Sequence, residues 1–129
     1  MEYIVRPRLG FEPNADVVID EAQGRIIVAV EVAGADPDSL RVEVDDRALL
    51  ISGTRAEPNR FHRGSFVQKE ISYGHFAKRV RLPVAVDLLG DALASYADGV
   101  LVIALPISST AHLPTTRTEI RMIVKRTLS

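Results

Sequence analysis

Residues 98–106 read Asp-Gly-Val-Leu-Val-Ile-Ala-Leu-Pro, and this run limits the possible folds more than any other stretch. Glycine takes positive φ without a Cβ clash, so Asp98-Gly99 is a turn signal. The β-branched and leucine residues that follow at once make residues 100–105 the second arm of a hairpin. Pro106 cannot donate to a strand ladder and ends the run. Its apolar positions are nearly continuous, which predicts a strand covered on both faces in the middle of a sandwich. A short buried helix is the competing reading. The shortness of the run, its Gly and Pro borders and the β-branched Val100, Val102 and Ile103 count against it.

The rest of the chain repeats this logic. A short strand is expected over residues 15–20, a turn at Glu21-Ala22-Gln23-Gly24, and a longer strand over 25–32. In that longer strand Ile26, Val28, Val30 and Val32 share one face, a period-two pattern that belongs on a core. Asp36-Pro37 suits a turn or the cap of one helical turn. Leu40, Val42 and Val44 alternate with charged residues, and residues 48–52 follow a tight turn as the next strand. Residues 76–82 put Phe76, Val80 and Leu82 on one side, and residues 93–97 lead into the Gly99 turn. Roughly eight short strands, closely spaced turns and no helix longer than a turn predict an all-β sandwich.

Composition narrows the function. At 129 residues the chain suits one domain with a modest core, and 47% hydrophobic with 26% charged residues is a globular balance. A formal net charge of −1 offers no electrostatic case for nucleic acid as the main partner. Phe61, Phe66 and Phe76 do interleave with Arg60, Arg63, Lys69, Lys78, Arg79 and Arg81, but charges that keep strand edges from pairing account for them. The absence of cysteine fits a reducing cytoplasm, and no apolar run approaches the roughly 20 residues that span a bilayer. The expected location is cytoplasmic.

No site for chemistry stands out. His62, His75 and His112 lie on separate segments without metal-ligand spacing, so no metal or cofactor is expected. Asp36, Asp38, Asp45 and Asp46 sit where turns favour aspartate, and there is no phosphate loop or nucleophile elbow. The chain is expected not to be an enzyme.

Three blocks carry a resemblance. Glu31-Val32-Ala33-Gly34, with Asp36-Pro37-Asp38-Ser39-Leu40 and then Leu49-Leu50-Ile51-Ser52-Gly53-Thr54-Arg55, is the first. Gly74-His75-Phe76-Ala77-Lys78-Arg79-Val80-Arg81-Leu82-Pro83 is the second, and Ala94 with Asp98-Gly99-Val100-Leu101 and Leu105-Pro106 is the third. In this order they resemble the α-crystallin domain of small heat-shock proteins. Ala33 stands where the family has proline, and Lys78, with Arg79 beside it, stands where it has arginine. Lysine lacks the planar fork that pairs bidentately with a carboxylate, so an interface ion pair at Lys78 and Arg79 is in question.

The resemblance implies an immunoglobulin-like β-sandwich over residues 13–107, after a short arm (1–12) and before a hinge and tail (108–129). It also implies an ATP-independent holdase that binds non-native client proteins and assembles as dimers into homo-oligomers. An interaction adaptor on the same sandwich is the alternative. Phe66, Val67, Gln68, Lys69 and Glu70 fall where bacterial and plant members hold a loop strand that pairs with the neighbouring subunit. The other reading of that segment is a mobile loop.

Tyr3, Ile4, Val5, Leu9 and Phe11 are the client-binding candidates of an arm shorter than the family's usual one; a loosely packed lead-in is the plainer account. Residues 111–129 carry Arg117, Arg121, Lys125 and Arg126 against Glu119 alone, a charge of +3 that favours contact with an acidic surface. Ile120, Met122 and Val124 alternate along that tail. Ile120-Arg121-Met122 is the nearest match to the family's docking pair, and Met122-Ile123-Val124 the next. The tail is expected to fill a neighbouring subunit's groove, with an edge strand on its own subunit as the alternative.

Overall fold

The computed structural model describes residues 10–45, 47–58, 63–87, 92–108, 118–120 and 122–124, with Asp45, Thr118 and 122–124 as backbone alone. Nine strands follow one another: β1 (Ala15–Asp20), β2 (Arg25–Glu31), β3 (Arg41–Asp45), β4 (Ala48–Arg55), β5 (Gly74–Arg81), β6 (Leu93–Ala97), β7 (Val100–Pro106), β8 (Thr118–Glu119) and β9 (Met122–Val124). The only helical piece among the described residues is a single 3-10 turn at Pro37–Ser39. Asp36 caps it, its side chain accepting from the Asp38 N–H, so this aspartate has the turn role its position predicts.

The strands form two sheets, ordered β1-β2-β7-β6-β9 and β5-β4-β3-β8. The sheets enclose one apolar core. Ile26, Val28 and Val30 of β2, Leu101, Ile103 and Leu105 of β7, and Leu49 and Ile51 of β4 are all at or below 1% exposure. Phe76, Val80 and Leu82 are buried on the expected side of β5 and just beyond it.

The β6–β7 hairpin shows how local chemistry sets this frame. Asp98 and Gly99 both have positive φ, 53° and 80°, as a tight hairpin with right-handed strand twist requires. Gly99 is constrained a second time. Its carbonyl accepts from the Val32 N–H at 2.9 Å, and a Cβ there would meet Ala33 at 3.0 Å, so the turn is pressed against the end of β2.

β7 departs from its expected environment. Leu101, Ile103 and Leu105 point into the core, but Val100, Val102, Ala104 and Pro106 are only half-buried, so one face of the strand is covered and the other lies open. The run is continuous because its outward residues are apolar, not because two layers enclose it.

A buried tyrosine ties the sandwich to its turns. The Tyr96 hydroxyl donates to the Val32 carbonyl at 2.9 Å and accepts from the Ala35 N–H at 3.2 Å. Ala35 N–H also reaches the Val32 carbonyl at 3.3 Å, so loss of the hydroxyl leaves one weak acceptor for it. Tyr96→Phe is expected to cost about 1 kcal/mol, the low end of the penalty for buried polar groups left short of partners. Denaturant unfolding checks this, and an unchanged midpoint would remove the tether from the account.

Candidate functional site

Among the described residues there is no group of His, Cys, Asp or Glu able to hold a metal, no buried charged residue, and no helix long and apolar enough to cross a membrane. His75 is exposed on β5, while His62 and His112 lie outside the described residues. The features that stand out are surfaces for other polypeptide.

The first surface is the slot between the β3 and β6 edges. β8 adds to β3 in antiparallel register, with Glu43 opposite Glu119, and Arg41 reaches Glu119 at 3.7 Å. Ile120 follows, its N–H donating to the Val42 carbonyl at 2.7 Å, and its side chain is 5% exposed within the core cluster. β9 then pairs in parallel with β6, Met122 opposite Ala94 and Val124 opposite Tyr96. The tail therefore crosses from one sheet to the other, and Ile120 closes the slot at the crossing. Within this single chain the tail lies along its own subunit's strands, the position set out as the alternative to a neighbouring subunit's groove. β8 and β9 take the outermost places beside β3 and β6, so the tail pairs with one strand of each sheet.

The second surface is built from β1 and the excursion after β4. Val17 and Ile19 point to the core side, opposite Val28 and Ile26, yet are 42% and 43% exposed. β1 is the outer strand of the wider sheet, and the narrower sheet does not cover it. Residues 63–73 pair with no strand of their own chain, so the segment over 66–71 does not form an intramolecular strand. Phe66, Ile71 and above all Val67, fully exposed, stand out in water. Lys69 organises this segment: its ammonium lies 3.0 Å from Glu57, donates to the Ile71 carbonyl and sits 4.9 Å from the Phe66 and Tyr73 rings. Gln68 donates to the Glu70 carboxylate.

The base of the excursion is held by a residue whose role the sequence did not reveal. The Arg55 guanidinium donates to the carbonyls of Ser72 and Ala33 and lies 4.3 Å from the Phe11 ring centroid. One planar cation thus joins the lead-in, the end of β2 and the excursion. Arg55 closes the Leu-x-Ile-x-Gly-x-Arg pattern, but its partners are distant backbone carbonyls that carry no sequence signal. An open groove of about 720 Å³ adjoins it, lined by Glu57, Lys69, Tyr73 and Gly10 among others.

Of the remaining candidates, Phe11 stacks on Phe76 with ring centroids 5.3 Å apart, and its N–H and carbonyl bond to β5. Tyr3, Ile4, Val5 and Leu9 lie outside the described residues. Lys78 has a partner in its own chain, Glu12 at 3.8 Å, whereas Arg79 is exposed on the outer face.

The model of the Hsp20/alpha crystallin family matches residues 18–122, most of the chain. The chain belongs to the Hsp20/α-crystallin family. Among relatives, a 19.0 kDa class II heat shock protein of Oryza sativa subsp. japonica is 35% identical over 96 residues, covering 70% of this chain and 54% of that protein. Small heat shock protein C4 of Rickettsia felis is 28% identical over 94 residues, covering 73% and 56%. This α-crystallin chain thus spans little more than half the length of these relatives. Among solved structures, heat shock protein 16.0 of Schizosaccharomyces pombe superposes with a TM-score of 0.70 at 24% identity, covering 79% of this chain and 71% of that one. The hspA protein of Xanthomonas axonopodis superposes at 0.65 with 28% identity, covering 75% and 94%. The two-sheet sandwich expected from the strand pattern is the family's fold.

Proposed function

We propose that this chain is an ATP-independent chaperone of the holdase type, which binds partly unfolded proteins through exposed apolar surface and limits their aggregation in the cytoplasm. The observation that carries the reading is the apolar residues left in water along β1 and residues 66–71, on a sandwich whose core is otherwise closed. The rice and Rickettsia felis relatives described above are both named as heat shock proteins, which supports it. No nucleotide, metal or nucleic acid enters the scheme. Weak reversible contacts that cover such surface until clients compete for it are what the task needs.

The test is breadth. Light scattering of two unrelated heat-labile enzymes should fall on addition of the protein without nucleotide. An adaptor for one folded partner would protect neither, and that result would displace the holdase reading.

The domain of residues 13–107 is proposed to work as a dimer. Phe66, Val67, Gln68, Lys69 and Glu70 would add as a strand to β1 of a second copy, the outer strand of its sheet. Lys78 and Arg79 would be the dimer's charge contact, with Lys78 3.8 Å from Glu12 in its own chain. Val67 is fully exposed, so Val67→Asp should leave the fold intact while placing a carboxylate in the joint. The expected weakening is roughly 2 kcal/mol, or about 30-fold in the dimer dissociation constant by sedimentation. An unchanged constant would sink the exchanged strand.

A further inference from the structure

β1 offers its outer edge in a fixed phase. The Glu31 N–H donates to the Asn14 carbonyl at 3.0 Å, and bonding alternates along an antiparallel pair, so Asp16 and Val18 turn their backbone groups toward β2. Ala15, Val17 and Ile19 turn theirs the other way, toward the outer edge of the sheet. The side chains of these three lie on the core side with Val30, Val28 and Ile26, whereas Asp16, Val18 and Asp20 lie on the outer face. Asp16 and Val18 are both exposed.

Residues 66–70 carry a matching order. Phe66, Gln68 and Glu70 fall on one side of an extended chain, and Val67 and Lys69 on the other. Laid antiparallel on β1 with Val67 opposite Val18, the segment puts Phe66 opposite Ile19 and Lys69 opposite Asp16. Apolar residues then meet on both faces, and opposite charges meet on the outer one. Val67–Val18 and Lys69–Asp16 become the pairs without mutual backbone hydrogen bonds, whose Cα atoms approach to roughly 4.5 Å and whose side chains come closest.

Other registers lose this match. In a parallel arrangement through the same Val67–Val18 pair, Glu70 falls on Glu21 and Lys69 on Asp20, which already has Arg25 at 3.6 Å. An antiparallel shift of two residues sets Val67 against Asp16 or Asp20, and a shift of one turns Lys69 to the core side beside Ala15 or Val17. Lys69 keeps 44% of its side chain in water beside Glu57, so its ammonium is open to a second carboxylate.

We propose that Lys69 and Asp16 select the partner: in the strand-exchanged dimer Lys69 of each copy lies opposite Asp16 of the other, and a chain with the wrong charge at either place is refused. This rests on the exchanged strand put forward above and adds its register and its specificity. Two-fold symmetry places the contact twice, so a single substitution changes two contacts at once.

Two single variants test the selection. Lys69→Glu sets carboxylates opposite each other, and Asp16→Lys sets ammonium groups opposite each other. Each variant alone should dimerise about tenfold more weakly than the parent by sedimentation at low salt. Mixed, they complement, because the mixed dimer has one contact of the native kind and one with its charges reversed, both attractive. Native mass spectrometry of an equimolar mixture, one variant isotope-labelled, should find roughly nine-tenths of the dimers mixed, against about half for random pairing. Loss of the Glu57 contact alone would weaken the Lys69→Glu dimer without complementation. A random proportion, or single variants as tight as the parent, would overturn the selection.

The register has its own readout. The chain has no native cysteine, and Val17, Val18 and Val67 are all exposed, so cysteine there leaves the core untouched. Val18→Cys with Val67→Cys should link two subunits under mild oxidation several-fold faster than Val17→Cys with Val67→Cys, whose side chains would lie on opposite faces. Equal rates, or a bond within one chain, would overturn the register. If Val67→Asp weakens the dimer while these pairs and variants fail, the exchanged strand stands and Lys69–Asp16 falls. If Val67→Asp has no effect, the exchange falls and takes the selection with it.

Discussion

Gly53→Val is expected to lower the stability of the sandwich by about 3 kcal/mol, enough to move the melting temperature down by roughly 12 °C for a domain of this size. Gly53 is a buried residue of β4, directly opposite Phe76 of β5. A Cβ at this position would sit 2.6 Å from Phe76 Cζ and 3.0 Å from Leu40 Cδ2. Both neighbours belong to the core cluster. The Phe76 ring cannot simply withdraw, because Phe11 packs on it 5.3 Å away.

Two effects oppose each other here. Replacing a strand glycine removes unfolded-chain entropy and should gain up to about 1 kcal/mol. Overpacking costs about 1–3 kcal/mol already for a single forced methyl, and valine adds two more carbons. The clash wins. Gly53→Ala should fall between, and Phe76→Leu in the alanine background should recover about 1 kcal/mol relative to additivity, since the two sites share one volume. Thermal melts at fixed protein concentration check all three. A valine variant melting within 3 °C of the parent would show that β5 can shift as a unit.

Much of this frame is legible in the residues themselves. The alternation of Ile26, Val28 and Val30, the Asp98-Gly99 turn and the cap at Asp36 each work through neighbours a few positions away, and each appears where the pattern puts it. What escaped reading depends on distance along the chain. Arg55 binds Ala33 and Ser72 through carbonyls, which every residue possesses, so nothing in the sequence distinguishes its partners. The open side of β7 was hidden for another reason: outward valines and alanines look the same in sequence whether a second layer or solvent faces them. The exposed surfaces were partly readable, since Phe66, Val67 and Ile71 sit in an otherwise polar stretch. The depth of Ile120 in the core was not, because its partner Val42 lies more than seventy residues away.

That depth makes Ile120→Ala the second large expectation. Truncating a well-packed buried isoleucine costs about 2–5 kcal/mol. The tail, however, is a short appendage that can lift away rather than hold a cavity, so the loss cannot exceed the free energy of docking itself. About 2 kcal/mol is therefore expected, with hydrogen-exchange protection lost together at Val42, at Ile120 and along the β6 edge. Removing residues 118–129 should do the same and leave two strand edges unpaired, which favours aggregation over a clean smaller particle. Concentration separates the two ways a tail can dock. A tail on its own subunit gives a loss independent of protein concentration, whereas one shared between subunits gives a loss that shrinks on dilution of the parent. An alanine variant with unchanged stability and unchanged exchange would place the tail outside the slot in solution, and a dilution-sensitive loss would return it to the neighbouring subunit.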